Sequence, residues 1–246
     1  MEEKLKMTIS QMAVRAFIAV SAVSLGTTSL FACAQQGAYL SSEDVDLSVL
    51  LAPPPAPPSA DQQRDLAEVL RVQRERTPQE VAAGIADLDE SVFRFGDVLG
   101  PRFKDENLPK TARLFKAANL DAEMIASNAK THFRRARPFV VSSEVHPTVP
   151  TKQKAYYRAY PSGHATMGYL DAILLASMVP EKRAELFARG RQYGENRIVD
   201  GVHYPTDTEA GRLDGTVVAA ALMRNPKFNA DMTAARDELR AALGLQ

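Results

Sequence analysis

The feature that most constrains the fold is a helical pattern that runs from residue 61 almost to the C-terminus. Apolar residues recur there at the spacing of one helix face, and glycine or proline separates successive segments. No segment alternates convincingly as a half-buried strand does; the nearest is the short apolar run 139–141, which follows a proline. The pattern predicts an all-α, single-domain helical bundle, with helices over about residues 108–118, 121–133, 164–179, 181–196, 207–224 and 228–243.

Two further helices are predicted nearer the N-terminus. Asp61 is a candidate N-cap for a helix whose apolar stripe consists of Leu66, Val69, Leu70 and Val72. The segment Thr77-Pro78-Gln79-Glu80 has the spacing of a capping box, with proline at the first helical position. A second helix should therefore begin at about residue 78.

The balance of charges excludes some classes of partner. The 246 residues carry 30 Lys and Arg against 30 Asp and Glu. Such a chain has no bulk electrostatic preference for a nucleic acid polymer or an anionic membrane. A hydrophobic content of 45% is ordinary for a globular domain and is sufficient for one full core.

The first 34 residues predict a secretory signal peptide. Basic residues precede a short apolar run at 16–25, and small residues follow it. A membrane span needs about 20 apolar residues, which this run does not supply. The motif Ala32-Cys33-Ala34 fits cleavage after Ala34, but residues 30–33 also resemble a bacterial lipoprotein box, which would place a lipid anchor on Cys33. Either alternative predicts a periplasmic or secreted protein without an internal disulfide, because Cys33 is the sole cysteine.

Residues 35–60 are predicted to form a proline-rich N-terminal arm. Five of the six residues from 53 to 58 are prolines, which favours polyproline II and forbids a helix there. Residues 50–60 of this arm are expected to lie extended over the surface of an all-helical domain formed by residues 61–246.

Lys130 and Arg137 are the first candidate anion ligands. They are seven residues apart, a spacing that places both on one helix face about two turns apart. Pro138 should end the helix and place Arg137 in a loop, where a guanidinium can bind two phosphate oxygens. Basic residues also favour helix C-termini for electrostatic reasons alone, and Arg134 and Arg135 fit that plainer interpretation.

The segment Pro161-Ser162-Gly163-His164 precedes an apolar run that predicts a buried helix. Ser162 is a good N-cap, and Gly163 allows a ligand to approach the backbone. The N-terminus of this helix would present free N–H groups and a partial positive charge to an anion. His164 is placed to give a proton to a leaving group. A capped helix with an incidental histidine is the plainer alternative.

Arg197, His203 and Asp207 form the third group. Arg197 adds a third cation, and Asp207 lies four residues after His203. A hydrogen bond from one ring nitrogen of His203 to Asp207 would fix the tautomer and leave the other nitrogen free to attack phosphorus. By itself this pattern is weak, because Asp207 is also an ordinary helix N-cap.

Together and in this order, the three groups resemble the signature of the type 2 phosphatidic acid phosphatase superfamily. That signature reads Lys-x6-Arg-Pro, then Pro-Ser-Gly-His, then Ser-Arg-x5-His-x3-Asp. Within the superfamily the chain is most similar to the bacterial class A non-specific acid phosphatases, which are secreted and all-helical. The resemblance runs from about residue 50 to about residue 224.

The resemblance implies hydrolysis of small phosphate monoesters through a phosphohistidine, with no metal and no other cofactor. His203 would be the nucleophile, Asp207 would orient it, and His164 would protonate the leaving alcohol. Asn196 stands where the family has serine, and its amide can still donate a hydrogen bond to phosphate. The phosphoryl oxygens would be bound by Lys130, Arg137, Ser162, Gly163, Asn196 and Arg197.

Other functions for the same residues remain as alternatives. A vanadate-dependent haloperoxidase shares this oxyanion site and would oxidise halide. A non-catalytic phosphate-binding module would need the cations but not both histidines and Asp207. A membrane lipid phosphatase would need several apolar spans of about 20 residues, and residues 35–246 contain none. The sequence leaves a homo-oligomer open.

Overall fold

The computed structural model describes residues 35–245, so the predicted leader and both alternatives at Cys33 lie outside the described residues. Within the described range the all-α prediction is confirmed, since the chain forms helices and short 3-10 turns with one isolated bridge and no sheet. The ten α-helices of this range are α1 (Leu47–Leu50), α2 (Ala60–Glu75), α3 (Pro78–Ala86), α4 (Gly96–Leu99), α5 (Pro109–Phe133), α6 (Pro138–Val141), α7 (Gly163–Met178), α8 (Arg183–Val199), α9 (Pro205–Leu222) and α10 (Pro226–Leu243).

The caps of α2 and α3 explain where these helices begin. Ser59, not Asp61, is the N-cap of α2: its side chain accepts from the backbone N–H of Gln62 at 3.2 Å, and Asp61 lies in the first turn. The capping box of α3 is confirmed, because the Thr77 hydroxyl accepts from the N–H of Glu80 at 3.2 Å and the Glu80 carboxylate accepts from the N–H of Thr77 at 2.7 Å.

The prediction of two helices over residues 108–133 is wrong, because α5 is continuous through the expected break. Asp121 suggested a helix start, but its side chain points out of α5 and accepts hydrogen bonds from the backbone N–H groups of Ala38, Tyr39 and Leu40, at 2.8–2.9 Å. A carboxylate with three backbone donors is fully satisfied, so its burial in mid-helix carries no unpaired charge.

The N-terminal arm is more deeply integrated than an extended surface segment. Leu40, Val45, Leu47 and Leu51 are buried in the main core, and α1 packs against α5. Only the proline stretch 53–58 keeps the expected character, being non-helical and half-buried to exposed. The residues before the prolines therefore pack into the core of the domain.

Helix α7 is the centre of the fold and is enclosed by α5, α8 and α9. Glycines on its neighbours allow this close approach. A Cβ at Gly190 of α8 would lie 2.5 Å from the carbonyl oxygen of Gly168, and one at Gly211 of α9 would lie 2.5 Å from that of Ser162. Contacts this short exclude a larger side chain, so both neighbouring backbones fix the position of the α7 N-terminus.

The short apolar run after Pro138 is helical and forms α6, with the proline at its first position, so no strand forms there. No helix of residues 35–245 is both long enough and apolar enough to cross a bilayer.

Candidate active site

A cavity of about 180 Å³ lies at the N-terminus of α7. Five residues predicted for the site line its wall: Lys130, Arg137, Gly163, His164 and His203. Ser162, Arg197 and Asp207 are buried behind this wall. A larger groove of about 600 Å³ shares three lining residues with the cavity, namely Glu90, Glu123 and Met167. The chain therefore brings the three sequence segments together around one pocket that opens beside a groove.

His203 is held by the start of α9. Its Nδ1 lies 3.2 Å from Oδ2 of Asp207, and the same oxygen accepts from the backbone N–H of Tyr204 at 2.9 Å. An ionised carboxylate can only accept, so Nδ1 carries the hydrogen and Nε2 keeps a lone pair. Burial, with Arg137 and Lys130 nearby, lowers the pKa of His203 well below its ordinary value. The ring is consequently a neutral, oriented imidazole, the form a nucleophile requires.

Arg135 is a buried residue next to the pocket whose position the sequence did not predict. It was expected on a solvated helix end, but it is 7% exposed. Its Nη1 donates to Oδ1 of Asp207 at 2.5 Å, and its Nη2 donates to Oδ2 of Asp65 at 2.6 Å. The guanidinium also stacks over the Tyr204 ring, 4.2 Å from the ring centre. Burial raises the pKa of Asp207 to about 6, while Arg135 opposes that rise.

Lys130 and Arg137 lie just before and just after the C-terminal end of α5. Lys130 lies in the last turn of α5, and Arg137 lies in the loop before Pro138, as its sequence position predicts. Nζ of Lys130 donates to the carbonyl of Pro161, and Arg137 donates from Nη1 to the carbonyl of Val202 at 2.8 Å. Burial lowers the pKa of Lys130 to about 8 and that of Arg137 to about 10, so both groups remain cationic at neutral pH.

Ser162 and Gly163 shape the anion side of the pocket. Ser162 is the N-cap of α7, and its hydroxyl accepts from the N–H of Ala165 at 3.4 Å. The first N–H groups of the helix, on Gly163 and His164, have no intrahelical acceptor and stand at the pocket wall. A Cβ at Gly163 would lie 3.7 Å from Nζ of Lys130, so the missing side chain keeps the space between helix end and ammonium open.

His164 lies close to a carboxylate and to several cations. Its Nδ1 lies 3.3 Å from a carboxylate oxygen of Glu90, whereas its Nε2 is buried and has no hydrogen-bond partner among residues 35–245. Burial and the nearby cations Arg197, Lys130 and Arg137 lower the pKa of His164 to about 3. A bound anion would offset these cations and stabilise the imidazolium.

Arg197 and Asn196 lie on α8, behind the pocket. Nη2 of Arg197 donates to the carbonyl of Gly84 at 2.6 Å and lies 2.7 Å from Asp200. The Asn196 amide donates to Oδ2 of Asp87 at 2.8 Å. Arg197 therefore contributes its charge from beside the pocket, and the Asn196 donor is engaged away from the pocket wall.

No group of three or more His, Cys, Asp or Glu side chains in residues 35–245 is arranged to hold a metal ion. Positive charge at the pocket comes from Lys130 and Arg137 at the wall, from Arg197 behind it and from the N-terminus of α7, while Glu90 and Glu123 place carboxylates on the same wall.

The fold and the pocket define a class: an all-helical protein with a pocket lined by two cations, in which a histidine–aspartate pair lies beside a second histidine. Residues 114–231 match the PAP2 superfamily. The chain is 30% identical over 205 residues to a non-specific acid phosphatase of Providencia stuartii, a match that covers 80% of this chain and 82% of the relative. It is 33% identical over 204 residues to an acid phosphatase of Zymomonas mobilis, covering 80% and 76% of the two chains.

A non-specific acid phosphatase of Salmonella typhimurium is 33% identical over 164 residues, and that match spans 64% of this chain and 65% of the relative. The chain belongs to the PAP2 superfamily, in the family of these acid phosphatases.

Proposed function

We propose that this protein is an exported acid phosphatase that hydrolyses small phosphate monoesters through a phosphohistidine on His203, without a metal ion. The observation that carries the proposal is the contact of 3.2 Å between Nδ1 of His203 and Asp207, at the wall of a cavity that Lys130 and Arg137 also line. A cationic pocket alone would suit a binding module. The oriented imidazole gives that pocket a nucleophile.

The first chemical step follows from the positions of these groups. The phosphoryl oxygens would occupy the space bounded by Lys130, Arg137 and the first N–H groups of α7. The lone pair on Nε2 of His203 forms a bond to phosphorus while the bond from phosphorus to the leaving oxygen breaks. His164, protonated in the complex, gives its proton to that oxygen, so the alcohol leaves neutral.

The second step returns the protein to its starting state. His164, now neutral, takes a proton from a water molecule as the water oxygen bonds to phosphorus. The bond between phosphorus and His203 breaks, and inorganic phosphate is released. Asp207 stabilises His203 through both steps, because its carboxylate offsets the positive charge of the phosphorylated ring.

Metal independence is proposed from the charges of the pocket. Charge on the three equatorial oxygens must be neutralised in phosphoryl transfer, and Mg²⁺ does so in many other enzymes. Lys130 and Arg137 at the wall and Arg197 behind it supply that positive charge here.

The proposal also covers where the leaving group lies and where the protein acts. Leaving groups would project from the 180 Å³ cavity into the 600 Å³ groove, which has room for varied small alcohols. Export is proposed from the leader pattern of residues 1–34.

The test is hydrolysis of p-nitrophenyl phosphate by the purified protein in excess EDTA. We expect activity to survive EDTA and to be lost in His203→Ala with helical content unchanged. His146→Ala is the matched control, because its side chain is exposed and lines neither the cavity nor the groove. Full activity in His203→Ala would contradict the assignment of His203 as the nucleophile. If EDTA abolished wild-type activity and added metal restored it, the proposal of metal independence would be wrong.

A further inference from the structure

Glu90 lies where the catalytic cavity and the larger groove meet. It follows α3 in the chain and lines both spaces. Its side chain is 47% exposed, so the carboxylate is open to the groove while one oxygen reaches the pocket. A leaving group that projects from the cavity into the groove must pass beside this carboxylate.

The carboxylate of Glu90 contacts one nitrogen of His164 and leaves the other free. Nδ1 of His164 is 3.3 Å from Oε1 of Glu90, and Nε2 is buried with no hydrogen-bond partner in the described part of the chain. An imidazole that donates a proton from one nitrogen needs the other nitrogen to be held, since otherwise the ring can rotate or change tautomer. Glu90 contacts Nδ1 of His164 in the same way as Asp207 contacts Nδ1 of His203.

The contact with Glu90 matters because most of the charges around His164 disfavour its protonated form. Lys130 faces the ring from α5, Arg137 from the loop after it, and Arg197 from α8, and all three disfavour the imidazolium. Asp87, at the end of α3, favours it from farther away. His203 and Glu123 also line the cavity. Glu90 is the only one of these groups for which the structure gives an ion-pair contact with His164.

We propose that Glu90 is the positioning residue of the general acid: its carboxylate fixes Nδ1 of His164 and stabilises the imidazolium, so that Nε2 delivers the proton to the leaving oxygen. This inference rests on the proposed phosphatase function. It adds that the protein can release poor leaving groups, such as unactivated alcohols, because Glu90 and the bound phosphate together favour the protonated form of His164 in the complex. As the phosphorus–oxygen bond breaks, the Nε2 proton moves to the alcohol oxygen and His164 becomes neutral, with its remaining hydrogen on Nδ1 facing Glu90.

The dependence on leaving group separates this role from a structural one. Nitrophenolate leaves without a proton, whereas the alkoxide of glycerol 2-phosphate does not, so only the second substrate needs the acid. In Glu90→Gln we expect kcat for glycerol 2-phosphate to fall at least tenfold and kcat for p-nitrophenyl phosphate to fall by no more than about threefold. Asp97→Asn is the control, because it removes an exposed carboxylate that lines neither the cavity nor the groove, and we expect it to leave the ratio of the two rates unchanged.

A second readout does not need turnover. Histidine ring resonances, followed by NMR in saturating inorganic phosphate, report the pKa of His164, which His164→Ala identifies. We expect that pKa to fall in Glu90→Gln and to stay constant in Asp97→Asn. An unchanged pKa of His164 in Glu90→Gln, or equal losses of kcat with both esters, would overturn the role of Glu90. A wild-type protein that hydrolyses neither ester would instead overturn the phosphatase, and the NMR titration would still decide whether Glu90 controls His164.

Discussion

Arg135 donates from Nη1 to Oδ1 of Asp207 at 2.5 Å, while Oδ2 of the same carboxylate faces His203. The other arm of the guanidinium donates to Asp65 on α2. A chain of contacts therefore runs from α2 through Arg135 and Asp207 to the proposed nucleophile. The residue that orients His203 is itself oriented by an arginine that touches no part of the pocket wall.

Replacement of Arg135 should weaken both the fold and catalysis. Arg135→Met leaves two buried carboxylates, Asp65 and Asp207, without their cation, and breaking a buried pair in this way costs about 3–5 kcal/mol. We expect a loss of that order in the free energy of urea unfolding, and a lower kcat wherever the variant stays folded. Arg134→Met is the control, because Arg134 is exposed at the neighbouring position. Equal stability of the two variants would contradict the contact chain.

Asn196 tests whether the amide contacts phosphate or the protein interior. In the structure it donates to Asp87, which is also bound by Arg189 at 2.6 and 2.9 Å. Asn196→Ser removes one donor from a carboxylate that keeps others, so we expect about 1 kcal/mol lower stability. The KM for p-nitrophenyl phosphate should change less than about twofold, because the amide lies away from the pocket wall. A tenfold change in KM with unchanged stability would place the amide on phosphate, as the family pattern predicts.

Gly163 should be needed for binding but not for folding. A methyl group there would meet nothing closer than Nζ of Lys130, at 3.7 Å, so the helix can accept it. The same methyl group would occupy the space that we assign to the phosphoryl oxygens. Gly163→Ala should therefore keep the wild-type unfolding temperature and raise the inhibition constant of inorganic phosphate by roughly tenfold, which is about 1.4 kcal/mol. Gly96→Ala is matched, because it also begins a helix and its methyl would meet only the carbonyl of Phe103, at 3.8 Å. Unchanged phosphate inhibition in Gly163→Ala would show that phosphate lies elsewhere.

Asp214 should make the fold more stable in acid. The Thr166 hydroxyl lies 3.0 Å from the carbonyl of Ser162 and 2.8 Å from Oδ2 of Asp214, but its one hydrogen can serve only one of them. A protonated Asp214 resolves this, since it donates to Thr166 while Thr166 donates to Ser162. Burial raises the pKa of Asp214 to about 7.

The sign of the pH dependence follows from that shift. The folded protein binds the Asp214 proton up to about pH 7, whereas the unfolded chain releases it near pH 4. Stability from this group is full below the unfolded pKa and is lost as pH rises through 7. Asp214→Asn should therefore gain roughly 2–4 kcal/mol relative to wild type between pH 5 and pH 8 in urea unfolding. Asp237→Asn, at an exposed position of α10, should show no such gain; parallel curves for all three proteins would contradict a protonated Asp214.

The sequence predicted the parts of the site that depend on local rules. Ser162 caps α7 and Pro138 places Arg137 in a loop, because caps and prolines act on neighbouring residues. The proximity of the three segments came from the family resemblance. Arg135 and Asp121 were misassigned, because their partners lie 70 or more residues away in the chain. Their types matched a solvated helix end and a helix start equally well, and only tertiary packing decides between such interpretations.

The contact of Glu90 with His164 could not be predicted from the sequence for the same reason. An acidic residue in a polar loop carries no pattern, and its contact with His164 spans 74 positions. One general rule does apply, because a buried cluster of cations needs carboxylates nearby. This rule predicts that some acidic residues, such as those of the loop after α3, lie close to the cations.

The central claim is the covalent intermediate on His203, and rapid quenching with a ³²P-labelled phosphate monoester tests it most directly. A phosphohistidine survives alkali and is lost in acid, so the quench is alkaline and the labelled peptide is then mapped. We predict label on the peptide that contains His203, formed faster than steady-state turnover and absent from His203→Ala. Label on another residue, or undiminished label in His203→Ala, would contradict the account.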